Sequence, residues 1–159
     1  MKPILLSTDG SPSAAEATRK AIELADALHA PLVVATVWEI TYEPVGLPFG
    51  SIVPAADSAG SDRALEIAER AADEARAAGL EVETVIRRGV PAQEICSIAD
   101  AHGAQLIVLG SHGWGGFRRL LHGSVSTGVL HHTTRPVLVI PSRVFAEDTA
   151  LREREKVEA

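Results

Sequence analysis

Five short apolar segments alternate with longer segments of helical periodicity along this chain. The short segments are rich in branched apolar residues, which is typical of strands that are covered on both faces. Strands that alternate with helices form a parallel sheet with helices on both sides, so the pattern predicts an α/β fold. The predicted strands are Ile4–Ser7, Leu32–Trp38, Glu81–Arg88, Leu106–Leu109 and Val137–Ile140.

Four helices are predicted between these strands. Ser11 offers a helix-capping hydroxyl and Pro12 suits a first helical position, so the first helix begins near this turn. Apolar and polar residues alternate within Glu81–Arg88, which indicates a strand with one less covered face, near an edge of the sheet. The predicted helices are Ser13–Leu28, Asp62–Ala78, a segment that begins at Pro91, and Ser124–His132.

The chain is long enough for one domain with a substantial core. Its 159 residues, 46% of them hydrophobic, are assigned to a single domain at 1–143 and a charged tail at 144–159. The tail is either a solvated chain end or a partner-binding arm. Within the domain, prolines and glycines at 39–61 predict a long loop, which is either a functional lid or a poorly ordered insertion.

Two kinds of segment that the sequence lacks indicate the compartment in which we expect the protein. No segment approaches the roughly 18 consecutive apolar residues of a membrane span, and the first residues lack a signal-peptide core. We therefore expect a cytoplasmic protein without membrane association. The single cysteine, Cys96, excludes an internal disulfide framework, and its helical pattern with Ile95 and Ile98 favours a small buried residue.

Charge is distributed unevenly along the chain. The net charge of -6 argues against a nucleic-acid partner, because such proteins normally carry a basic excess. The segment Ala101–Ala146 has no Asp or Glu and four arginines, a formal charge of +4, which leaves the remainder at -10. A locally cationic segment suits a small anionic ligand.

The segment Gly110–Ser126 reads GSHGWGGFRRLLHGSVS and follows the fourth predicted strand. Glycines let backbone N–H groups approach a ligand closely, and the free N–H groups at a helix start favour an anion such as phosphate. The alternative is that the glycines only permit a tight turn and that Ser124 is only a helix cap. If the strand order reverses between the first and fourth strands, Asp9 and Gly110 meet in one crevice.

Several catalytic and metal-binding patterns are excluded. The chain has neither a Walker-type phosphate loop nor the G-x-G-x-x-G dinucleotide fingerprint. The adjacent His131 and His132 point in different directions on a helix and have no nearby carboxylate, so we reject a zinc site. Ser124-x-Ser126-x-Gly128 begins too far after its strand for a nucleophile elbow. We therefore assign no catalytic residue and no metal-ligand set.

The spacing Gly110-x-x-Gly113, nine residues, then Gly123-Ser124 resembles the ATP-binding signature of the universal stress protein family. ILLSTDGS at the N-terminus, GVPAQEI, LIVLGSHG and HTTRPVLVIP extend this resemblance over most of the chain. The resemblance implies a Rossmann-like three-layer α/β/α sandwich with a five-stranded parallel sheet. It also implies a homodimer that pairs through Val137–Ile140, and ATP, with or without Mg²⁺, as the ligand.

The resemblance assigns site residues position by position. Ser7 stands where some ATP-binding relatives have proline, at a position expected to make a backbone contact. Asp9 suits a ribose hydroxyl or a bridging Mg²⁺ better than a bare phosphate. The residues matched to adenine and ribose contacts are Ser7, Thr8, Asp9 and Val37, and those matched to the phosphate and ribose cradle are Gly110, Gly113, Gly123, Ser124, Val125 and Ser126. Ser111 and His112 lie in the same loop and are added to the candidate site, where His112 either contacts a γ-phosphate or is an exposed loop histidine.

Two functional hypotheses from different classes follow. In the first, the protein is an ATP-binding stress-response or signalling module; since no catalytic base or Walker lysine is present, any ATP hydrolysis is slow. In the second, it is a dimeric scaffold of the same fold that binds a partner through the 39–61 loop and holds no nucleotide. An enzyme that transfers part of ATP to a substrate is the weakest alternative, because no acceptor-site residues can be named.

Overall fold

A computed structural model describes residues 1–39, 42–44, 52–54, 58–111 and 124–141 of the chain. The sequence folds into a five-stranded, all-parallel sheet with helices on both faces, as predicted. Its strands are β1 (Ile4–Ser7), β2 (Leu32–Trp38), β5 (Val82–Arg88), β6 (Leu106–Gly110) and β7 (Val137–Ile140), in the spatial order β5-β2-β1-β6-β7.

Four helices cover this sheet. They are α1 (Pro12–Ala27), α2 (Ser58–Ala77), α3 (Pro91–Ala101) and α4 (Ser124–His132). Alanines of α1 and α2 pack with Leu6 and Val34 on one face, and α3 and α4 pack with Leu5 and Val33 on the other. Because alanine side chains are short, α1 and α2 come close to the sheet, and the central strands are buried at Ile4–Leu6, Leu32–Ala35 and Ile107–Leu109.

The first helix starts as the sequence predicts. Ser11 is its N-cap, since its Oγ accepts a hydrogen bond from the backbone N–H of Ala14 at 3.2 Å. Pro12 occupies the first helical turn, where its missing N–H costs nothing. The helix starts one residue earlier and ends one residue earlier than predicted.

The expected 39–61 loop is the part of the fold that the sequence predicted least well. A short antiparallel pair, β3 (Tyr42–Pro44) with β4 (Ile52–Pro54), lies within it, and α2 begins at Ser58 rather than at Asp62. Three-residue strands that end in proline give no alternating pattern to recognise, because proline is tolerated only at strand ends and edges. The remaining residues of that segment, and the charged tail at 144–159, lie outside the described residues.

The two edge strands of the main sheet differ in character. β5 pairs only with β2 in the sheet and carries the exposed side chains of Glu83, Arg87 and Arg88, which confirms the predicted edge position. β7 pairs with β6 and consists of four partly buried apolar residues. No helix in the described part of the chain combines the length and apolar character needed to cross a membrane.

Candidate functional site

The strand order reverses between β1 and β6. From β1 the chain builds the sheet outwards through β2 to β5, then returns to the other side of β1 and continues through β6 to β7. The register pairs Ser7 with Leu109, so the segments that follow β1 and β6 leave the sheet side by side. In open parallel sheets such a point leaves a crevice at the carboxyl ends of the strands, where ligands bind.

The turn after β1 is held by its own side chains. Asp9 Oδ1 accepts the backbone N–H of Ser11 at 3.0 Å, and Thr8 Oγ1 accepts that of Gly10 at 3.3 Å. Gly10 has a φ of 75°, and a Cβ there would lie 3.2 Å from Cγ1 of Ile67 on α2. The turn therefore requires glycine both for its backbone conformation and for the packing of α2.

Gly110 lies directly against the first turn of α1. A Cβ at Gly110 would lie 2.7 Å from Ser13 Oγ and 2.9 Å from the backbone nitrogen of Ala14. The ends of β1 and β6 thus meet, as the predicted crevice requires. The contact also gives Gly110 a packing role that does not depend on a ligand, since a side chain here would displace α1.

Val37 lies beyond the end of β1. The pairing of β1 with β2 ends at Ser7 and Ala35, with one further bond from the N–H of Thr8 to the carbonyl of Ala35 at 2.9 Å. In a parallel strand, alternate residues direct their N–H and C=O groups to the same side. The backbone N–H and C=O of Val37 therefore point to the side of β1, past the place where that strand has ended.

Two residues of β2 that the sequence did not single out also belong to this region. Thr36 is buried, and its Oγ1 donates a 3.0 Å hydrogen bond to the carbonyl of Thr8. Trp38 is partly exposed, but its indole Nε1 is buried and has no acceptor within the described residues. A polar residue in an otherwise apolar strand was the available signal for Thr36, whereas nothing in the sequence marks the indole N–H of Trp38.

The phosphate-cradle residues are placed only in part. The N–H of Ser111 donates to the carbonyl of Ile140 at 2.9 Å, which ties the start of the loop to β7. Ser124 begins α4, and Val125 and Ser126 are partly exposed in its first turn. Since α4 connects the carboxyl end of β6 to the amino end of β7, its N-terminus lies at the crevice edge of the sheet. His112, Gly113 and Gly123 lie outside the described residues.

Side chains away from the crevice fix the opposite end of the sheet and one helix contact. Arg135 Nε donates to Asp100 Oδ1 at 2.8 Å, which joins the chain before β7 to α3. Cys96 is buried with its Sγ 3.9 Å from the carbonyl of Val129, and burial raises the pKa of its thiol, helped by the charge of Asp100. Among the described residues, no group of three or more His, Cys, Asp or Glu side chains is placed to hold a metal ion.

The family model of the universal stress proteins matches residues 1–141 of this chain. The chain belongs to the universal stress protein family. A universal stress protein of Mycolicibacterium smegmatis is 36% identical over 146 residues, which are 89% of this chain but only 46% of that protein. The chain thus spans about half the length of that relative.

Two further members of the family extend the comparison. A universal stress protein of Methanocaldococcus jannaschii is 33% identical over 140 residues, which cover 87% of this chain and 81% of that protein. The crystal structure of a universal stress protein in complex with cAMP superposes with a TM-score of 0.65 at 28% identity and covers 89% of this chain and 97% of the other. The parallel sheet and its flanking helices are therefore those of the family.

Proposed function

We propose that this protein binds ATP, or a closely related adenine nucleotide, in the crevice where β1 and β6 diverge. In this proposal it acts as a stress-response or signalling module and hydrolyses ATP slowly if at all. The cytoplasmic location and the absence of a nucleic-acid partner predicted from the sequence remain part of the proposal. The twelve site residues named in the sequence analysis remain its candidate contacts.

The observation that carries the proposal is the meeting of the β1 and β6 ends. Asp9 follows β1, and Gly110 ends β6 against the first turn of α1, which supports a site between the polar turn and the start of the glycine-rich segment. A related protein of the same fold has been crystallised in complex with cAMP. This supports an adenine nucleotide as the ligand class for the present chain.

The crevice has different chemistry at its two ends. On the side of β2, the backbone N–H and C=O of Val37 offer one donor and one acceptor to the edge of a base. On the side of β6, the first turn of α4 offers backbone N–H groups that suit phosphate. Two strand spacings, about 10 Å, separate the ends of β2 and β6, so base and phosphates have separate positions.

We include a homodimer in the proposal, formed through β7. Charged side chains protect an edge strand from pairing with another chain, and β5 carries three of them. β7 carries none, and its four residues are apolar and only partly buried. Of the two edges, β7 is therefore the one suited to pair with a second copy.

The direct test is the nucleotide content of the purified protein, followed by calorimetric titration. We expect adenine nucleotide, identified by mass, in the supernatant of freshly purified and denatured protein, and heat of binding when ATP and Mg²⁺ are added to the emptied protein. A folded protein that carries no nucleotide and gives no heat at millimolar ATP would contradict the proposal and favour the scaffold hypothesis.

Asp9→Asn tests the polar end of the crevice. An asparagine oxygen can still accept the N–H of Ser11, so the turn is kept while the charge is removed. Because charge-assisted hydrogen bonds are about twice as strong as neutral ones, we expect the affinity for ATP to fall about tenfold with little change in thermal stability. Titrations with and without Mg²⁺ distinguish two roles of Asp9. If Asp9 contacts the ribose, the affinity falls in both titrations; if Asp9 binds a bridging cation, the affinity falls only when Mg²⁺ is present.

Asp26→Asn provides the matched control for this change. Asp26 is exposed near the far end of α1, so the variant has the same net charge without touching the crevice. If the Asp9 and Asp26 variants bind ATP with equal affinity, Asp9 is not a ligand contact.

A further inference from the structure

The indole N–H of Trp38 is a buried hydrogen-bond donor without an acceptor among the described residues. Buried polar groups in folded proteins are nearly always paired, because an unpaired donor has lost its water without compensation. An unpaired buried donor therefore points to a hydrogen-bond acceptor that comes from a ligand. Trp38 is the last residue of β2, so this donor lies at the carboxyl edge of the sheet, where the proposed ligand crevice opens.

The strand places Trp38 on the same side as the turn after β1. Side chains alternate along a strand, so Thr36 and Trp38 leave β2 on one face, the face covered by α1 and α2. Thr36 already reaches the carbonyl of Thr8 on that face. Trp38 lies two residues, about 6.6 Å, further along and therefore beside the segment that follows Thr8, which contains Asp9.

The backbone on either side of Trp38 has a fixed orientation. Val37, immediately before Trp38, directs its backbone towards the place that β1 has vacated. The carbonyl of Trp38 itself is used by the N–H of Gly89 at 3.0 Å, which anchors the residue to the end of β5. The main chain of Trp38 is thus fixed, while its side-chain donor has no acceptor among the residues that the structure describes.

We propose that Trp38 is a specificity-determining residue of the nucleotide site, and that its indole N–H donates to an acceptor of the bound nucleoside. This inference rests on the proposed function. The acceptor is an unprotonated ring nitrogen of the base or a hydroxyl oxygen of the ribose, the two acceptor types on the part of the ligand nearest Asp9. Without an acceptor in the described part of the chain, this donor is costly in the free protein and is paired in the complex.

Trp38→Phe tests this, since phenylalanine keeps an aromatic ring and removes the N–H. We expect ATP affinity to fall roughly threefold to tenfold, the range of one neutral hydrogen bond. We expect the free protein to be as stable as wild type or more stable, because the change removes an unpaired buried donor. The shift in melting temperature on adding ATP should therefore shrink while the unliganded melting temperature does not fall.

Ligand analogues identify the acceptor. Wild type and Trp38→Phe are titrated with ATP and with its 1-deaza, 3-deaza, 7-deaza, 2′-deoxy and 3′-deoxy forms. For wild type, we expect one analogue to bind more weakly than ATP. For Trp38→Phe, we expect that analogue and ATP to bind with the same affinity. A deaza analogue with this behaviour assigns the bond to the base, and a deoxy analogue assigns it to the ribose.

Thr18→Val is the matched control. Thr18 lies in the second turn of α1, outside the proposed ligand contacts, and its buried Oγ1 already donates to the carbonyl of Ala14 at 2.9 Å, so the change should lower the unliganded melting temperature and leave the preference among analogues as in wild type. If wild type binds ATP and Trp38→Phe shows the same affinity and analogue preferences, the inference is wrong while the proposed function stands. If wild type binds no nucleotide, both fall.

Discussion

At the scale of single residues, hydroxyl groups near the crevice hold the protein together before they meet any ligand. Ser11 caps α1 and lies 3.3 Å from the hydroxyl of Ser13, and the hydroxyl of Thr36 is bonded to Thr8. Sequence resemblance assigned Thr8 to the adenine end of the site, yet this residue is buried and its hydroxyl accepts the N–H of Gly10. Thr8 is therefore held by protein partners at its N–H, its carbonyl and its hydroxyl, and Asp9 is the residue of this turn whose side chain the proposal assigns to the nucleotide.

Cys96 leads to a prediction about the stability of the protein at alkaline pH. Burial raises the pKa of its thiol above the ordinary value, so the folded protein favours the neutral thiol. The stability from this preference is complete below the ordinary thiol pKa, about 8.5, and is lost as pH rises through the higher pKa of the folded protein. We therefore expect the wild-type free energy of unfolding to decrease as pH rises over this range.

Cys96→Ser is the comparison for that measurement, because serine keeps a donor for the carbonyl of Val129 but does not titrate in this range. Urea unfolding of both proteins at neutral pH and well above pH 9 gives the difference in stability. The stability of wild type relative to the serine variant should decrease with pH, and a constant difference would contradict the assignment.

At the scale of elements, α3 and α4 approach so closely that one position excludes a side chain. A Cβ at Gly128 of α4 would lie 2.7 Å from the Cβ of Ala92 on α3. Real Cβ atoms do not come this close, so one helix would have to move. The N-terminus of α4, which carries the proposed phosphate donors, is thus positioned by a glycine that lies outside the proposed set of ligand contacts.

Gly128→Ala is expected to destabilise the protein by about 1–3 kcal/mol, despite alanine's higher helix propensity, because the added methyl group overpacks the contact. Ala92→Gly in the same chain removes the opposing methyl group and should restore part of that loss. Chemical denaturation of the wild type, both single variants and the double variant measures the coupling between the positions. Strictly additive effects would show that the helices do not meet here.

How well each element could be predicted depended on its burial. β1, β2 and β6 are apolar because both faces are covered, so their existence and their neighbours followed from the sequence. The short β3–β4 pair carries no such pattern, and the start of α2 lies in a segment without a clear cap. Close approaches such as Gly110 to Ser13 were not predictable either, since the sequence marks a glycine but not what lies opposite it.

At the scale of the whole molecule, the sheet has one charged edge and one apolar edge. The carbonyl groups of Pro136, just before β7, and of Ile140 accept hydrogen bonds from Ile107 and Ser111. Successive residues of a strand face opposite sides, so Val139, next to Ile140, directs its N–H to the free edge. By the same alternation Thr84 directs its N–H to the free edge of β5, since Glu81 and Gly89 face β2. Each edge thus offers a position where proline removes an outward-facing N–H without removing a backbone bond of the sheet.

Val139→Pro is expected to convert the proposed dimer into a monomer, because it removes an edge N–H without removing a bond to β6. Thr84→Pro makes the same change on the other edge and should leave the dimer intact. Sedimentation velocity of wild type and both variants measures the change. A Val139→Pro protein that remains dimeric, or a Thr84→Pro protein that dissociates, would reject pairing through β7.

The central place of β1 also governs the order in which the molecule can be assembled during synthesis. β1 precedes the other strands along the chain, and β2 and β5 can join one of its sides, but its other neighbour begins only at Leu106. Until β6 has been made, one edge of the central strand β1 has no paired neighbour. A nascent chain that ends before β6 therefore exposes an apolar strand edge at the very place where the crevice will form, and the proposed nucleotide can be captured only after β6 has been made.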